Sequence, residues 1–133
     1  MIKKLFCIDD DPTTLMLIKM VTEKASFAKE VVTASNGREA LDYYQNLAAQ
    51  PAEQKANYPQ LIFLDLNMPF MNGWEFLDEF VRDWYQLFPD TKVVILSSSA
   101  NPVDKEKAKQ YPIIIGYISK PITADLLKML VKK

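Results

Sequence analysis

Leu61-Ile62-Phe63-Leu64-Asp65 sets four uninterrupted apolar residues directly before a carboxylate. The same order recurs along the chain. Leu5-Phe6-Cys7-Ile8 runs into Asp9-Asp10-Asp11, Val93-Val94-Ile95-Leu96 into Ser97, and Ile113-Ile114-Ile115-Gly116-Tyr117-Ile118 leads to Lys120-Pro121. Short continuous apolar runs are the signature of strands covered on both faces. With a less apolar run at 30–34, they predict strands at about 2–8, 30–34, 60–65, 92–97 and 113–119. Helical segments fill the intervals and follow the last strand. Strict alternation of strand and helix predicts an α/β fold, a parallel sheet with right-handed crossovers and helices on both faces.

The helix starts are marked chemically. Asp11-Pro12 offers a capping carboxylate and a proline at the first helical position, and Asn101-Pro102 repeats the device. Asn36-Gly37-Arg38-Glu39 and Asn72-Gly73-Trp74-Glu75 both resemble capping boxes. Thr123 is the expected cap of the last helix, whose apolar set is Leu126, Leu127 and Leu130. The first helix is expected to turn Leu15, Ile18 and Val21 inward, with Met16 and Met20 beside them. Residues 48–58 are polar, contain Pro51 and read as an extended loop.

At 133 residues the chain fits one domain with a real core, and the expectation is a single domain over 1–133 with no output domain. A net charge of −1 gives no electrostatic reason to expect nucleic acid or an anionic membrane, and Lys132-Lys133 is too short to be a basic tail. No apolar run reaches transmembrane length. The single cysteine, Cys7, lies inside an apolar run and reads as core. The lack of any internal disulfide agrees with a reducing compartment, so a cytoplasmic location is expected. The chain has no histidine, which excludes histidine-based acid/base chemistry, histidine–cysteine zinc sites and a phosphohistidine of its own.

In an open parallel sheet the carboxyl ends of the strands face one crevice, where ligands bind. Asp9, Asp10, Asp65, Ser97 and Lys120 should therefore converge. Adjacent carboxylates raise one another's pKa, and a bound Mg2+ relieves that repulsion through octahedral oxygen coordination. Asp65 is the natural nucleophile for a phosphoryl group. The Lys120 ammonium and the Ser97 hydroxyl suit its oxygens, because phosphoryl transfer rests on positioning and charge neutralisation. Each piece alone has a plainer reading, as a solvated turn, a helix cap or a surface lysine. Their joint placement at successive strand ends carries the inference.

With these residues in hand, the chain resembles a response regulator receiver domain over essentially its whole length. The resemblance lies in Cys7-Ile8-Asp9-Asp10-Asp11-Pro12, Leu64-Asp65-Leu66-Asn67-Met68-Pro69-Phe70-Met71-Asn72-Gly73, Leu96-Ser97-Ser98 and Ser119-Lys120-Pro121. It implies a flavodoxin-like, doubly wound five-stranded sheet in the order 2-1-3-4-5. It implies that Asp65 is the phosphoacceptor, that Asp10, Asp65 and the Asn67 carbonyl ligate Mg2+, and that Asp9 acts through a water on the metal. Ser97 and Lys120 would bind the phosphoryl oxygens, and Ser97 and Tyr117 would be the switch pair. Asn67 and Ser99 would occupy the positions that tune phosphoryl lifetime. The implied partners are a sensor histidine kinase or phosphotransfer protein and an unidentified downstream protein. A homodimer through helix four, strand five and helix five is compatible with the apolar residues there. Tyr111-Pro112-Ile113-Ile114-Ile115 departs from the small-residue turn common in that family, which puts the shape of this face in question.

The expected function is thus a phosphorylation-dependent switch with no external substrate. A phosphatase with an aspartate nucleophile generally needs a second aspartate two residues on, where this chain has Asn67. A flavin module would need a phosphate-binding loop after strand one, where Asp9-Asp10-Asp11-Pro12 places negative charge instead. The remaining alternative is an interaction domain on the same fold that works without phosphorylation.

Overall fold

The computed structural model describes residues 2–98 and 101–131. Five parallel strands, β1 (Ile2–Ile8), β2 (Ala28–Ala34), β3 (Leu61–Leu64), β4 (Lys92–Ser97) and β5 (Ile114–Ser119), lie in the order β2-β1-β3-β4-β5. The helices are α1 (Pro12–Lys24), α2 (Gly37–Ala48), α3 (Ala52–Lys55), α4 (Gly73–Asp83), α5 (Pro102–Ala108) and α6 (Ala124–Val131). Ser99, Lys132 and Lys133 lie outside the described residues.

The pleat divides each apolar run between two cores. Phe6, Ile8, Ile62, Leu64, Val93 and Ile95 face one side, where Leu41, Tyr44, Phe76, Leu77 and Phe80 of α2 and α4 meet them. Leu5, Cys7, Leu61, Phe63, Val94 and Leu96 face the other, where Ile18 of α1 and Leu127 of α6 close over them. That is why these runs show no alternation: both faces are dry. Strand β2 lies at the sheet edge and is only partly covered, which explains its weaker apolar character. The Cys7 thiol is fully buried, and burial pushes its pKa up, so it is packing rather than a nucleophile.

The caps are largely as expected. The Asp11 carboxylate accepts from the Thr13 N–H at 3.0 Å ahead of Pro12. Asn72 and Glu75 form a full reciprocal box. Asn36 accepts from the Glu39 N–H, but the Glu39 carboxylate reaches past it to Ser35, so that box is not closed. The Thr123 hydroxyl accepts from the Leu126 N–H at 3.3 Å.

Three expectations need correction. The stretch at 48–58 is not wholly extended, because Ala52–Lys55 forms a single helical turn with Pro51 as its cap residue. The four residues are strong helix formers, and a proline suits a helix start as well as a loop. Leu15, Ile18 and Val21 do turn inward, but Met16 and Met20 beside them are exposed, and the polar Thr22 is buried. α1 buries a narrow face on the sheet, and the Thr22 hydroxyl is satisfied by donating to the Lys19 carbonyl at 3.0 Å. At β5 the pairing runs Val93↔Ile114 and then Val94↔Gly116, so Ile115 is the extra residue of a bulge, and 42% of it is exposed. The unusual segment before Gly116 thus alters the edge strand itself.

One core atom is costly. Among the described residues, the Tyr44 hydroxyl is buried without a hydrogen-bond partner, and the Tyr44 ring centroid lies 4.7–5.7 Å from those of Phe6, Phe80 and Phe88. Leaving a buried hydroxyl unpaired costs about 1–3 kcal/mol, part of which a phenyl ring recovers. Tyr44→Phe is expected to raise stability by about 1 kcal/mol, read as a higher urea midpoint at unchanged slope. A lower midpoint would mean that the hydroxyl finds a partner in solution.

Candidate functional site

The first, third and fourth strands and the turn after the fifth deliver their terminal residues to one place. Carboxylate oxygens of Asp9, Asp10 and Asp65 lie within 4.8 Å of one another. Asp9 is 2% and Asp65 7% exposed, whereas Asp10 faces solvent. The Lys120 ammonium donates to Asp9 Oδ2 at 2.6 Å and stands 3.8 Å from Asp65 Oδ1, joining residues 111 positions apart in the first of these contacts. Its own N–H donates to the Ser97 carbonyl at 2.8 Å, which ties the lysine to the end of β4. Ser97 is buried at that strand end and registers with Ser119.

Local structure fixes the floor of the pocket. The Asp65 N–H donates to the Ile8 carbonyl at 2.9 Å, and the Asp9 N–H to Ala34 at 3.0 Å, so both carboxylates are held by continued sheet bonding. Asp9 Oδ1 also accepts from the Asp11 N–H at 2.9 Å. The loop after Asp65 folds back on itself, with Gly73 N–H donating to the Leu66 carbonyl at 3.0 Å. A Cβ at Gly73 would lie 2.7 Å from the Asp65 carbonyl oxygen and 2.9 Å from Leu66 Cα, both backbone atoms. The start of α4 therefore approaches the Asp65 backbone more closely than any side chain permits.

The electrostatics are those of a site short of cations. Burial, then the neighbouring Asp9 carboxylate, raises the Asp65 pKa from 3.8 to about 6, against the opposing pull of Lys120 and the Asn67 N–H. That N–H lies 3.4 Å from Asp65 Oδ1. Two buried carboxylates and one exposed one supply hard oxygen donors, which fits Mg2+. The donor set excludes soft metals, since Cys7 points into the core and the chain lacks histidine.

The raised pKa is also a stability statement. The folded state holds the Asp65 proton more tightly than the unfolded chain. The associated stabilisation is therefore present below 3.8 and is lost as pH rises through about 6. In the absence of divalent cations, thermal stability is expected to fall across that interval by about 1–2 kcal/mol, allowing for solvent screening. Asp65→Asn should flatten the slope. A wild-type profile as flat as the variant's would show that Asp65 titrates normally.

Of the remaining expected residues, Tyr117 lies on β5, half-buried and opposite Ile95, with the Lys105 ammonium 5.8 Å from its ring centroid. Asn67 is exposed beside Asp65. Sequence reasoning missed a bridge between α4 and α5. Trp74 Nε1 donates to Asp104 at 3.3 Å, the Lys107 ammonium sits 4.7 Å over the Trp74 ring, and the Tyr111 ring packs tilted against Trp74 while its hydroxyl donates to Asp78 at 2.6 Å. Nothing in local periodicity pairs residues some 30 positions apart.

Comparison with known proteins identifies the family. The family model for the response regulator receiver domain matches residues 5–132. A solved two-component response regulator from Cytophaga hutchinsonii superposes with a TM-score of 0.88 at 30% identity, covering 98% of this chain and 95% of that one. The phosphorylated cyanobacterial phytochrome response regulator RcpA gives a TM-score of 0.73 at 32% identity, covering 98% and 89%. The sensor histidine kinase GacS of Pseudomonas protegens is 28% identical over 98% of this chain, which spans only 13% of that protein. Among the described residues, no helix is long and apolar enough to cross a membrane. A family match that leaves only the chain's extremities outside it, on a sheet whose strand ends gather the acidic residues, places this protein in the response regulator receiver domain family of two-component signalling.

Proposed function

We propose that Asp65 accepts a phosphoryl group from a phosphohistidine of a sensor kinase or phosphotransfer protein, and that the modified chain acts by binding another protein. The observation that carries this reading is the convergence of the Asp9, Asp10 and Asp65 carboxylates within 4.8 Å, with Lys120 between Asp9 and Asp65. Asp10, Asp65 and the Asn67 carbonyl would hold Mg2+, with Asp9 outside that set. The bound ion would supply positive charge to the transferring group and to the carboxylates around it.

The chain's own residues do the rest. A carboxylate oxygen of Asp65 forms the new P–O bond as the donor's P–N bond breaks, and the electron pair returns to the donor imidazole. Lys120 trades part of its contact with Asp9 for the arriving phosphoryl oxygens. Ser97, whose carbonyl accepts from the Lys120 N–H, would donate its hydroxyl to a phosphoryl oxygen. The new charge biases a two-state element containing Ser97 and Tyr117, and with it the face built from α5, β5 and α6. The reaction is self-modification, so turnover of an external substrate is not expected. A cytoplasmic location goes with a kinase partner.

The test is incubation with phosphoramidate or acetyl phosphate and Mg2+, read by intact mass. One base-labile phosphoryl adduct supports the reading. No adduct from either donor, with Mg2+ binding established separately, favours the alternative of a phosphorylation-independent interaction domain.

A further inference from the structure

Phe70 is the most exposed large apolar residue described in the molecule, at 91%, and its backbone is strained to keep it so. Its φ is +66°, in the left-handed region that a bulky side chain rarely adopts. The Met71 N–H donates to the Pro69 carbonyl at 2.7 Å across it, which makes residues 69–71 a γ-turn in its rare, strained form. The neighbours behave oppositely. Met68 is buried, and Met71 packs against the core while its carbonyl accepts from the Gly37 N–H at 3.1 Å. The loop is thus pinned at α2 and at Leu66, and one aromatic ring is held out into solvent from it. Strain of this kind points to a function.

We infer that Phe70 is the apolar anchor of the phosphodonor protein, a specificity-determining contact for transfer to Asp65; this rests on the function proposed above. Asp65 is nearly buried, so a donor histidine reaches it only if the donor's surface covers the rim of the pocket. Phe70 lies five residues after Asp65, on the loop pinned at both ends that leads away from the nucleophile. The complementary partner presents an apolar recess beside its phosphohistidine. A rigid exposed ring is the kind of residue that dominates binding energy at an interface. A small phosphodonor has no surface to seat on Phe70 and does not use it.

The experiment compares two donors on three chains. The donors are phosphoramidate and the autophosphorylated histidine kinase, from the same genome, that labels the wild type fastest. The chains are wild type, Phe70→Asn and Phe70→Trp. Asparagine tolerates positive φ, so it keeps the turn and removes the ring. The ratio of kinase-donor to phosphoramidate efficiency is expected to fall about 30-fold in Phe70→Asn. The loss should lie in the half-saturating kinase concentration, and Phe70→Trp should restore most of it. An unchanged ratio, an equal loss with both donors, or a wild type that accepts phosphoramidate but no phosphohistidine would each overturn the inference. Failure of phosphoramidate on the wild type would instead overturn the proposed function, and this inference with it.

Discussion

Asp65→Asn is expected to take up no phosphoryl group from phosphoramidate or acetyl phosphate while unfolding at a higher temperature than the metal-free wild type at neutral pH. The two effects have one origin. The side chain is nearly buried and lies beside Asp9, and both circumstances oppose its negative charge, burial more strongly. At neutral pH the wild type carries that charge at a cost, because its folded pKa, about 6, lies above the unfolded 3.8. Asparagine has the same shape and no charge, so the cost disappears and the fold remains. The lost charge is also the nucleophile of the proposed transfer, and an amide oxygen does not replace it at phosphorus. Intact mass reads the first effect and a thermal melt without divalent cations reads the second. A variant that still gained one adduct would move the phosphoacceptor elsewhere. Asp10 would be the next candidate, being exposed and within the same cluster.

Lys120→Met is expected to slow phosphorylation by about 10²-fold, the usual consequence of removing one preorganised charge from a site of developing charge. Methionine keeps most of the length and the apolar stem of lysine and deletes only the ammonium. The backbone bond from Lys120 N–H to Ser97 survives the change, so the strand end stays in place. Asp9 and Asp65 then face each other without the cation that stands 2.6 Å from one and 3.8 Å from the other. The proton on Asp65 becomes harder to remove, and the wild-type rate should be approached only at higher pH. Single-turnover labelling across pH separates the two consequences. A pH-independent deficit is the missing contact with the phosphoryl oxygens, and a deficit that closes as pH rises is the missing help with ionisation. An unchanged rate at every pH would remove Lys120 from the reacting group's surroundings.

Much of this site was legible before any coordinates, and the reasons are local. An apolar run of four to six residues ends where its polar successor leaves the sheet, so Asp9, Asp65 and Ser97 announced strand ends by themselves. Asp11-Pro12, Asn72 with Glu75 and Asn101-Pro102 announced helix starts, because a cap acts over three residues. From alternation alone came a parallel sheet, and from a parallel sheet came one crevice for all the strand ends. The chemical character of the pocket, acidic with a single ammonium, is a matter of residue identity and needed no geometry.

What the sequence did not yield depends on residues far apart. Met16 and Met20 carry apolar side chains at helical spacing, yet only the placement of α1 on the sheet decided that they stay in water and Thr22 does not. Ala52–Lys55 needed the final reckoning between a polar loop and a helical turn, which propensity alone leaves nearly even. The bulge at Ile115 is a mismatch between two strands, and either strand alone is silent about it. The bridge from Trp74 to Asp104, Lys107 and Tyr111, and the turn that holds Phe70 outward, depend on how α4 and its preceding loop dock. The sequence by itself determined the family of fold, the ends of its elements and the chemistry gathered at the strand tips, because each is set by neighbours along the chain. Only the tertiary structure decided that Lys120 pairs with Asp9, that Asp65 holds its proton to about pH 6, and that the Phe70 ring stands exposed. Distance, burial and strain arise between segments and exist only once the segments have met.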